Sequence, residues 1–88
     1  MDSKRFSEII DRVDAELDAD HLEGYQDGYD TDAIAPNDNR SEAYRHSWNI
    51  GRADREKRDI PPAWQSRMEV QAIRSRAITE ALTHAPRD

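Results

Sequence analysis

A strip of arginines around one tryptophan is the part of the sequence whose residue types could do chemistry. Its members follow at steps of three, four and three, on one side of a predicted helix: Arg45, Trp48, Arg52 and Arg55. An indole between guanidinium groups can stack on a nucleic-acid base while the arginines contact phosphates. Tryptophan and arginine also dominate protein–protein hot spots. We therefore predict a macromolecule-binding site here. The alternative is that Trp48 is a core residue and the arginines pair with acidic residues of the same chain.

Acidic residues are concentrated at the beginning of the chain. Residues 1–32 contain eleven acids and three bases, whereas the whole chain has a net charge of −6. Because this region repels phosphate backbones, nucleic-acid binding would have to use the later segments. Six of the acids form a candidate partner-binding face that could imitate a row of phosphates: Asp11, Asp14, Glu16, Asp18, Asp20 and Glu23. The alternative is a solvated helix face.

Signatures of catalysis and of metal or cofactor binding are weak. His21, His46 and His84 lie far apart in sequence, without the spacing of metal ligands. The sequence also lacks a glycine-rich phosphate-binding loop after a predicted strand. The absence of cysteine excludes disulfides and cysteine-ligated metals. We predict that the protein is not an enzyme and that it binds no cofactor and no metal.

Three helices are predicted to position these groups in one small domain, residues 1–88, of the all-α class: a helical hairpin plus a long C-terminal helix. The predicted elements are a helix over 3–29, a loop over 30–40, a helix over 40–58, a Pro-Pro linker over 60–62 and a helix over 63–83. Gly24 and Gly28 leave the first helix open to two interpretations. Either another helix crosses close to them, or Gly24 ends the helix and breaks it.

The third predicted helix is apolar on two sides. One arc contains Trp64, Met68, Ile78 and Leu82. The arc roughly opposite contains Val70, Ile73, Ala77 and Ala81. A helix of this kind lies between partners or bridges two chains, so we predict that residues 63–83 mediate a homo-oligomer.

Length and hydropathy limit the class of protein. A chain of 88 residues with 36% charged residues and a mean hydropathy of −1.10 allows one small, marginally stable domain. No apolar run approaches the roughly 18 residues of a membrane span. The N-terminal segment is charged and lacks the apolar core of a signal peptide. We predict a cytoplasmic protein that does not contact a membrane.

The middle of the chain resembles a known family. The segments that carry the resemblance are Gly24-Tyr25-Gln26-Asp27-Gly28, a loop containing Pro36, and Arg45-His46-Ser47-Trp48-Asn49-Ile50-Gly51. They are similar to ribosome modulation factor and its short bacterial and phage relatives, whose pattern is Gly-Tyr-x-x-Gly, a Pro-containing loop and Arg-x-x-Trp-x-x-Gly. The resemblance covers residues 22–55. Ribosome modulation factor itself is strongly basic, whereas this chain is acidic and has a third helix.

The resemblance implies a fold and a function. It implies two helices joined by the loop, with Gly24, Gly28 and Gly51 allowing a close approach. The best-known family member binds ribosomal RNA on the small subunit and promotes inactive ribosome dimers. By this resemblance, the contact candidates are Tyr25, Arg45 and Trp48.

Three functions follow as hypotheses. In the first, a non-catalytic protein docks on a large assembly of ribonucleoprotein type and modulates or inhibits it, with RNA contacts through Arg45, Trp48 and Arg52. In the second, a phage- or prophage-type inhibitor blocks a host nucleic-acid-handling complex, as an anti-defence protein does, and its acidic helix mimics nucleic acid. The third is a small oligomerisation protein. The first hypothesis requires Arg45, Trp48 and Arg52 to be exposed together.

Overall fold

The computed structural model describes residues 3–30, 32 and 34–84, and all regular structure among them is helical. The elements are α1 (Ser3–Tyr29), α2 (Glu42–Arg55) and α3 (Ala63–Thr83). The predicted all-α fold with three helices is therefore confirmed. The remaining residues of the predicted domain and loop, 1–2, 31, 33 and 85–88, lie outside the described residues.

Helix α1 is continuous through Gly24, because α2 crosses against it there. A methyl group placed on Gly24 would lie 3.0 Å from Cα of Tyr44, and one placed on Gly28 would lie 2.9 Å from Cα of Trp48. Each would come closer still to a carbonyl oxygen of α2. Real side chains do not tolerate such distances, so the interpretation of a close crossing is correct and that of a helix end is wrong.

Small residues line both sides of this crossing. They recur at steps of four along each helix, and all are buried: Gly24 and Gly28 of α1, and Ala43, Ser47 and Gly51 of α2. Residues four apart form ridges on a helix surface, and two such ridges can interdigitate. The absence of bulk along both ridges brings the two backbones into contact.

Helix α2 runs in the same direction as the C-terminal half of α1. The contacting pairs rise together along the two helices: Asp20 with Ser41, Gly28 with Trp48, and Asp30 with Arg52. The connecting loop must therefore double back along α1 by roughly 14 Å, at about 1.5 Å per helical residue. The predicted hairpin is correct in that two packed helices are joined by a loop, but the helices are parallel rather than antiparallel.

Helix α2 is shorter than predicted at both ends. Ser41 caps its beginning, because the Ser41 hydroxyl accepts a hydrogen bond of 3.1 Å from a backbone N–H of the first turn. Its end is set by Lys57, which has a φ of 56° in the left-handed region. The backbone N–H of Arg58 then donates to the carbonyl of Ala53 at 2.9 Å, which closes the helix.

Helix α3 lies antiparallel to α1 and covers its N-terminal half, because Ser66 lies near the level of His21 whereas Arg74 contacts Asp14. Ile73 is 3% exposed, and Ala77 and Ala81 line a groove with Val13 and Leu17 of α1. The predicted arc that contains Ile73 thus faces the protein. The opposite arc faces outward: Trp64 is 58% exposed, Met68 is 65% exposed, and Ile78 and Leu82 are half-buried.

The core is small for a chain of this length. Among the described residues, the buried apolar side chains are Val13, Ala43, Tyr44, Trp48, Ala53 and Ile73. The radius of gyration is 14.9 Å, against about 12 Å for a compact chain of this size. The molecule measures 49 × 26 × 17 Å, so it is an elongated slab with much apolar surface outside. None of the three helices, as far as they are described, combines the length and apolarity of a membrane span.

Candidate macromolecule-binding site

Trp48 is a core residue of the α1–α2 crossing. Its indole is 7% exposed, its backbone lies against Gly28, and the Arg52 guanidinium covers its ring with Cζ 4.9 Å from the centroid. The indole is therefore not available to stack on a nucleic-acid base. The prediction that Arg45, Trp48 and Arg52 are exposed together is wrong, because Trp48 belongs to the side of α2 that packs on α1.

The arginines on either side of Trp48 hold the loop and the end of α1. Nε of Arg45 donates to the Arg40 carbonyl at 3.2 Å, and its Nη1 lies 3.6 Å from Asp38. Nη2 of Arg52 donates to the Asp30 carbonyl at 2.8 Å. These bonds fasten the returning loop to α2. The predicted strip is thus divided among separate structural contacts and does not form one cationic ridge.

An exposed aromatic pair lies beside the last arginine of the strip. The rings of Tyr25 and Tyr29 are stacked, with centroids 6.2 Å apart and planes at 24°. The Arg55 guanidinium lies over Tyr29, 5.5 Å from the ring centroid. Tyr25 is 36% exposed and Tyr29 is 45% exposed. We call Tyr25, Tyr29 and Arg55 the tyrosine–arginine patch.

The patch contains one residue, Tyr29, that was not among the predicted site residues. Tyr29 lies four residues after Tyr25, which puts both rings on the same side of α1. That spacing is visible in the sequence. The contact of Arg55 with Tyr29 is not, because it depends on the parallel direction of α2.

The phenol of Tyr25 is anchored to α2. Its hydroxyl donates a short hydrogen bond to the Asp54 carboxylate. This hydrogen bond raises the pKa of Tyr25 above its ordinary value of 10.0, because the neutral phenol is the donor. The ring is thereby held in one orientation while part of its surface stays open to solvent.

A second tyrosine of the crossing is held in the same way, but in the interior. The Tyr44 hydroxyl donates to Asp27 at 2.6 Å, and this bond raises the pKa of Tyr44. The Arg40 guanidinium lies 3.7 Å from the centroid of the Tyr44 ring. Tyr44 is buried, so only the tyrosines of the patch present ring surface to a partner.

The six predicted acids do not form one face. With 3.6 residues per turn, they divide between two flanks of α1 on either side of its buried residues. One flank has Asp11, Asp14 and Asp18, and the other has Glu16, Asp20 and Glu23. The prediction of a single row that imitates phosphates is therefore wrong in its geometry.

Three of the six acids are engaged within the fold. Asp14 accepts two hydrogen bonds from Arg74, at 2.7 and 3.2 Å, and this contact lowers the pKa of Asp14 below its ordinary value. The other two contacts are from Ser41 to Asp20 at 2.9 Å and from Arg40 to Glu23 at 3.0 Å. Within the described part of the chain, Asp11, Glu16 and Asp18 make no ion pair.

Two of the histidines meet where the three helices join. Nδ1 of His21 and the Ser47 hydroxyl are 2.6 Å apart, and the His21 and His46 rings touch edge to face at 6.2 Å. Nε2 of His46 lies 3.4 Å from the Ser66 hydroxyl of α3. Burial lowers the pKa of His21, and the nearby His46 lowers it further. The carboxylates of Asp18 and Asp20 act in the opposite direction, but the pKa remains below its ordinary value. No group of three potential ligands in the described residues could hold a metal ion.

Comparisons with known proteins found no matching family model, no matching curated protein and no matching solved structure. The resemblance to ribosome modulation factor therefore rests on the motif alone and stays a prediction. In the structure, four residues of that motif build the α1–α2 crossing: Gly24, Gly28, Trp48 and Gly51. Its remaining predicted contact residues lie outside the core, Tyr25 in the tyrosine–arginine patch and Arg45 beside the loop.

Proposed function

We propose that this chain is a non-catalytic binding protein that docks on a large ribonucleoprotein assembly in the cytoplasm and modulates it. The observation that carries this proposal is the tyrosine–arginine patch. It combines two part-exposed, stacked rings with a guanidinium on one rigid edge of the α1–α2 pair. Rigid aromatic surface beside arginine suits both base stacking and protein hot spots.

The patch is oriented before any partner arrives. Tyr25 is fixed through Asp54, and the backbone beneath it contacts Gly51, where an added methyl group would lie 3.1 Å from the Tyr25 carbonyl carbon. A preorganised surface loses less conformational entropy on binding. We expect Tyr29 to supply a stacking face and Arg55 to supply a charge for a phosphate or a carboxylate.

The resemblance supports a ribonucleoprotein as the partner. The motif residues that are buried maintain the crossing, and Tyr25, a motif residue that is not buried, lies in the patch. Because phosphate contacts release counterions, binding to RNA in such an assembly should weaken as salt is raised.

The alternative, an inhibitor that mimics nucleic acid with its acidic helix, is supported by a smaller surface. Asp11, Glu16 and Asp18 are exposed and make no ion pair within the described part of the chain. They lie on two flanks of α1, so a binding groove on the partner would have to contact both flanks of the N-terminal half of the helix. Replacing Asp11 and Asp18 with Asn tests this alternative separately.

The experiment is co-sedimentation with ribosomes from a bacterial lysate on sucrose gradients at low salt. We expect wild type to travel with ribosomal particles. Changing Tyr29→Ala together with Arg55→Ala should raise the apparent dissociation constant at least about tenfold, since stacking alone contributes roughly 1–3 kcal/mol per base. Trp48 is not a suitable position, because its replacement would disrupt the crossing.

The matched control is Arg67→Ala, which removes an exposed arginine of α3 outside the patch. It should leave co-sedimentation unchanged. Wild type that stays at the top of the gradient at low salt would refute the ribosomal partner. Binding that is lost in the Asp11→Asn, Asp18→Asn variant but kept in the patch variant would favour the acidic mimic instead.

A further inference from the structure

The outward side of α3 carries a heptad-like seam. Its residues follow at steps of four, three, four, three and four, which is the alternation of a and d positions in a coiled coil: Trp64, Met68, Gln71, Ser75, Ile78 and Leu82. We call these six residues the outer seam. They point away from Ile73, the residue of α3 that is buried against the rest of the molecule.

The residue types of the outer seam are distributed symmetrically about its midpoint. Large apolar residues occupy its two ends, and small or polar ones occupy its middle. Reversing one copy about the level of Ile73 sets Trp64 against Leu82, Met68 against Ile78, and Gln71 against Ser75. Each of these layers combines an a with a d position, which is the pairing in antiparallel coiled coils, and a two-fold axis requires such self-complementarity.

Charge also favours a second copy at this surface. The outer seam contains no charged residue, and Arg74 at its edge is drawn toward α1 by Asp14. The strongly acidic α1 lies on the opposite side of α3, so two copies would meet far from their acidic surfaces. The four polar residues at the axis, Gln71 and Ser75 of each copy, can exchange hydrogen bonds and thereby fix the register.

We propose that the outer seam is a homodimer interface in which two α3 helices pack antiparallel about a two-fold axis at the level of Ile73. This surface is separate from the tyrosine–arginine patch. Residues 64–82 span about 27 Å on a helix about 10–12 Å wide, so the two facing strips amount to roughly 600 Å². Stable interfaces bury about 1,200 Å² or more. We therefore expect the dimer to be weak and reversible.

The first test is sedimentation equilibrium of the full chain between about 10 µM and about 1 mM. We expect wild type to shift from monomer to dimer over this range. Trp64→Lys and Met68→Lys should each raise the dissociation constant at least about tenfold, because a charge would enter the seam of both copies. Both side chains are more than half exposed, at 58% and 65%, so circular dichroism should show the helices intact.

The matched control is Leu22→Lys, which changes another exposed apolar residue, 61% exposed on α1. This variant should dimerise like wild type. Wild type that stays monomeric at every concentration would overturn the proposal and leave the seam to a different partner. Dimerisation that is lost in Leu22→Lys but kept in Trp64→Lys would overturn it as well.

A second test determines whether the two α3 helices of the dimer are antiparallel. Since the chain has no cysteine, introduced thiols report on defined pairs only. Met68→Cys mixed with Ile78→Cys should crosslink through a short bifunctional thiol reagent. Either variant alone should not, because identical positions lie about 15 Å apart along the axis. Crosslinking of Met68→Cys alone, at an efficiency above that of the mixture, would show a parallel pair and overturn the proposed register.

Discussion

The two halves of α1 are joined to the rest of the molecule in different ways. Its C-terminal half meets α2 backbone to backbone at Gly24 and Gly28, and tyrosine–carboxylate hydrogen bonds fasten the crossing from both sides. Its N-terminal half meets α3 through an arc of side chains in which only Ile73 of α3 is buried among the described residues. The α1–α2 junction is closely packed along its whole length, whereas the α1–α3 junction leaves the outer side of α3 uncovered.

The polar contacts show the same difference. At the α1–α2 crossing, Tyr44 donates to Asp27 in the interior. At α3, the polar contacts include ion pairs with half-exposed partners, such as Arg74 with Asp14 at 2.7 Å. Exposed ion pairs of this kind add little to stability. A junction that relies on them can yield or adapt when a partner binds.

The largest expected effect breaks the tight junction. Gly28→Ala should destabilise the protein by about 3 kcal/mol or more, because the new methyl group would overlap the Trp48 backbone. This would occur although alanine favours helix by up to about 1 kcal/mol over glycine. Urea unfolding followed by circular dichroism measures the change.

The control for this variant is Ala19→Gly, at an exposed position of the same helix. It should cost about 1 kcal/mol through helix propensity alone. Equal stability of Gly28→Ala and wild type would show that the helices are not in backbone contact, and the contrast between the two junctions would disappear.

A smaller effect is expected at the loose junction. Ile73→Ala should reduce the free energy of unfolding by about 2 kcal/mol. This value is near the lower end of the range for truncating a buried isoleucine, because few other buried side chains surround Ile73. Met68→Ala, at the outer seam, should change it by less than about 0.5 kcal/mol at low protein concentration. A larger loss for Met68 than for Ile73 would mean that α3 packs with its other side inward.

The smallest effect is a pH dependence where all three helices meet. Burial lowers the pKa of folded His21 below its ordinary value of 6.5, so the unfolded state binds the proton more readily. This contribution to stability is complete above pH 6.5 and declines as the pH falls toward the folded pKa. Urea unfolding at pH 7.5 and 5.5 should show the decline in wild type, reduced in His21→Gln but unchanged in His84→Gln. An identical decline in all three proteins would contradict the assignment to His21.

Local patterns were sufficient to predict the helices, and they gave the close crossing as one of two interpretations of Gly24 and Gly28. Apolar periodicity predicts the range 3–29, the two prolines predict the start of α3, and glycines four apart predict a neighbouring backbone. The end of α2 was missed because Lys57 adopts a left-handed conformation that glycine usually supplies. Propensity alone does not reveal such a residue.

The candidate site was less predictable because it depends on the direction in which α2 runs relative to α1. The spacing of Arg45, Trp48 and Arg52 defines one side of a helix, but it does not say whether that side meets solvent or α1. The parallel course of α2 decides this, and it buries Trp48 while it brings Arg55 over Tyr29. The meeting of His21 and His46, 25 positions apart, also depends on tertiary structure.

The parallel course of α2 has an electrostatic consequence. Two helices that run the same way place the negative ends of their macrodipoles side by side, near Tyr29 and Arg55. Cationic side chains gather at this end, and Arg52 already donates to a terminal carbonyl of α1. A phosphate from a partner would have to compete with this carbonyl for the Arg52 guanidinium. The affinity of this edge for nucleic acid should therefore be lower than its number of arginines suggests.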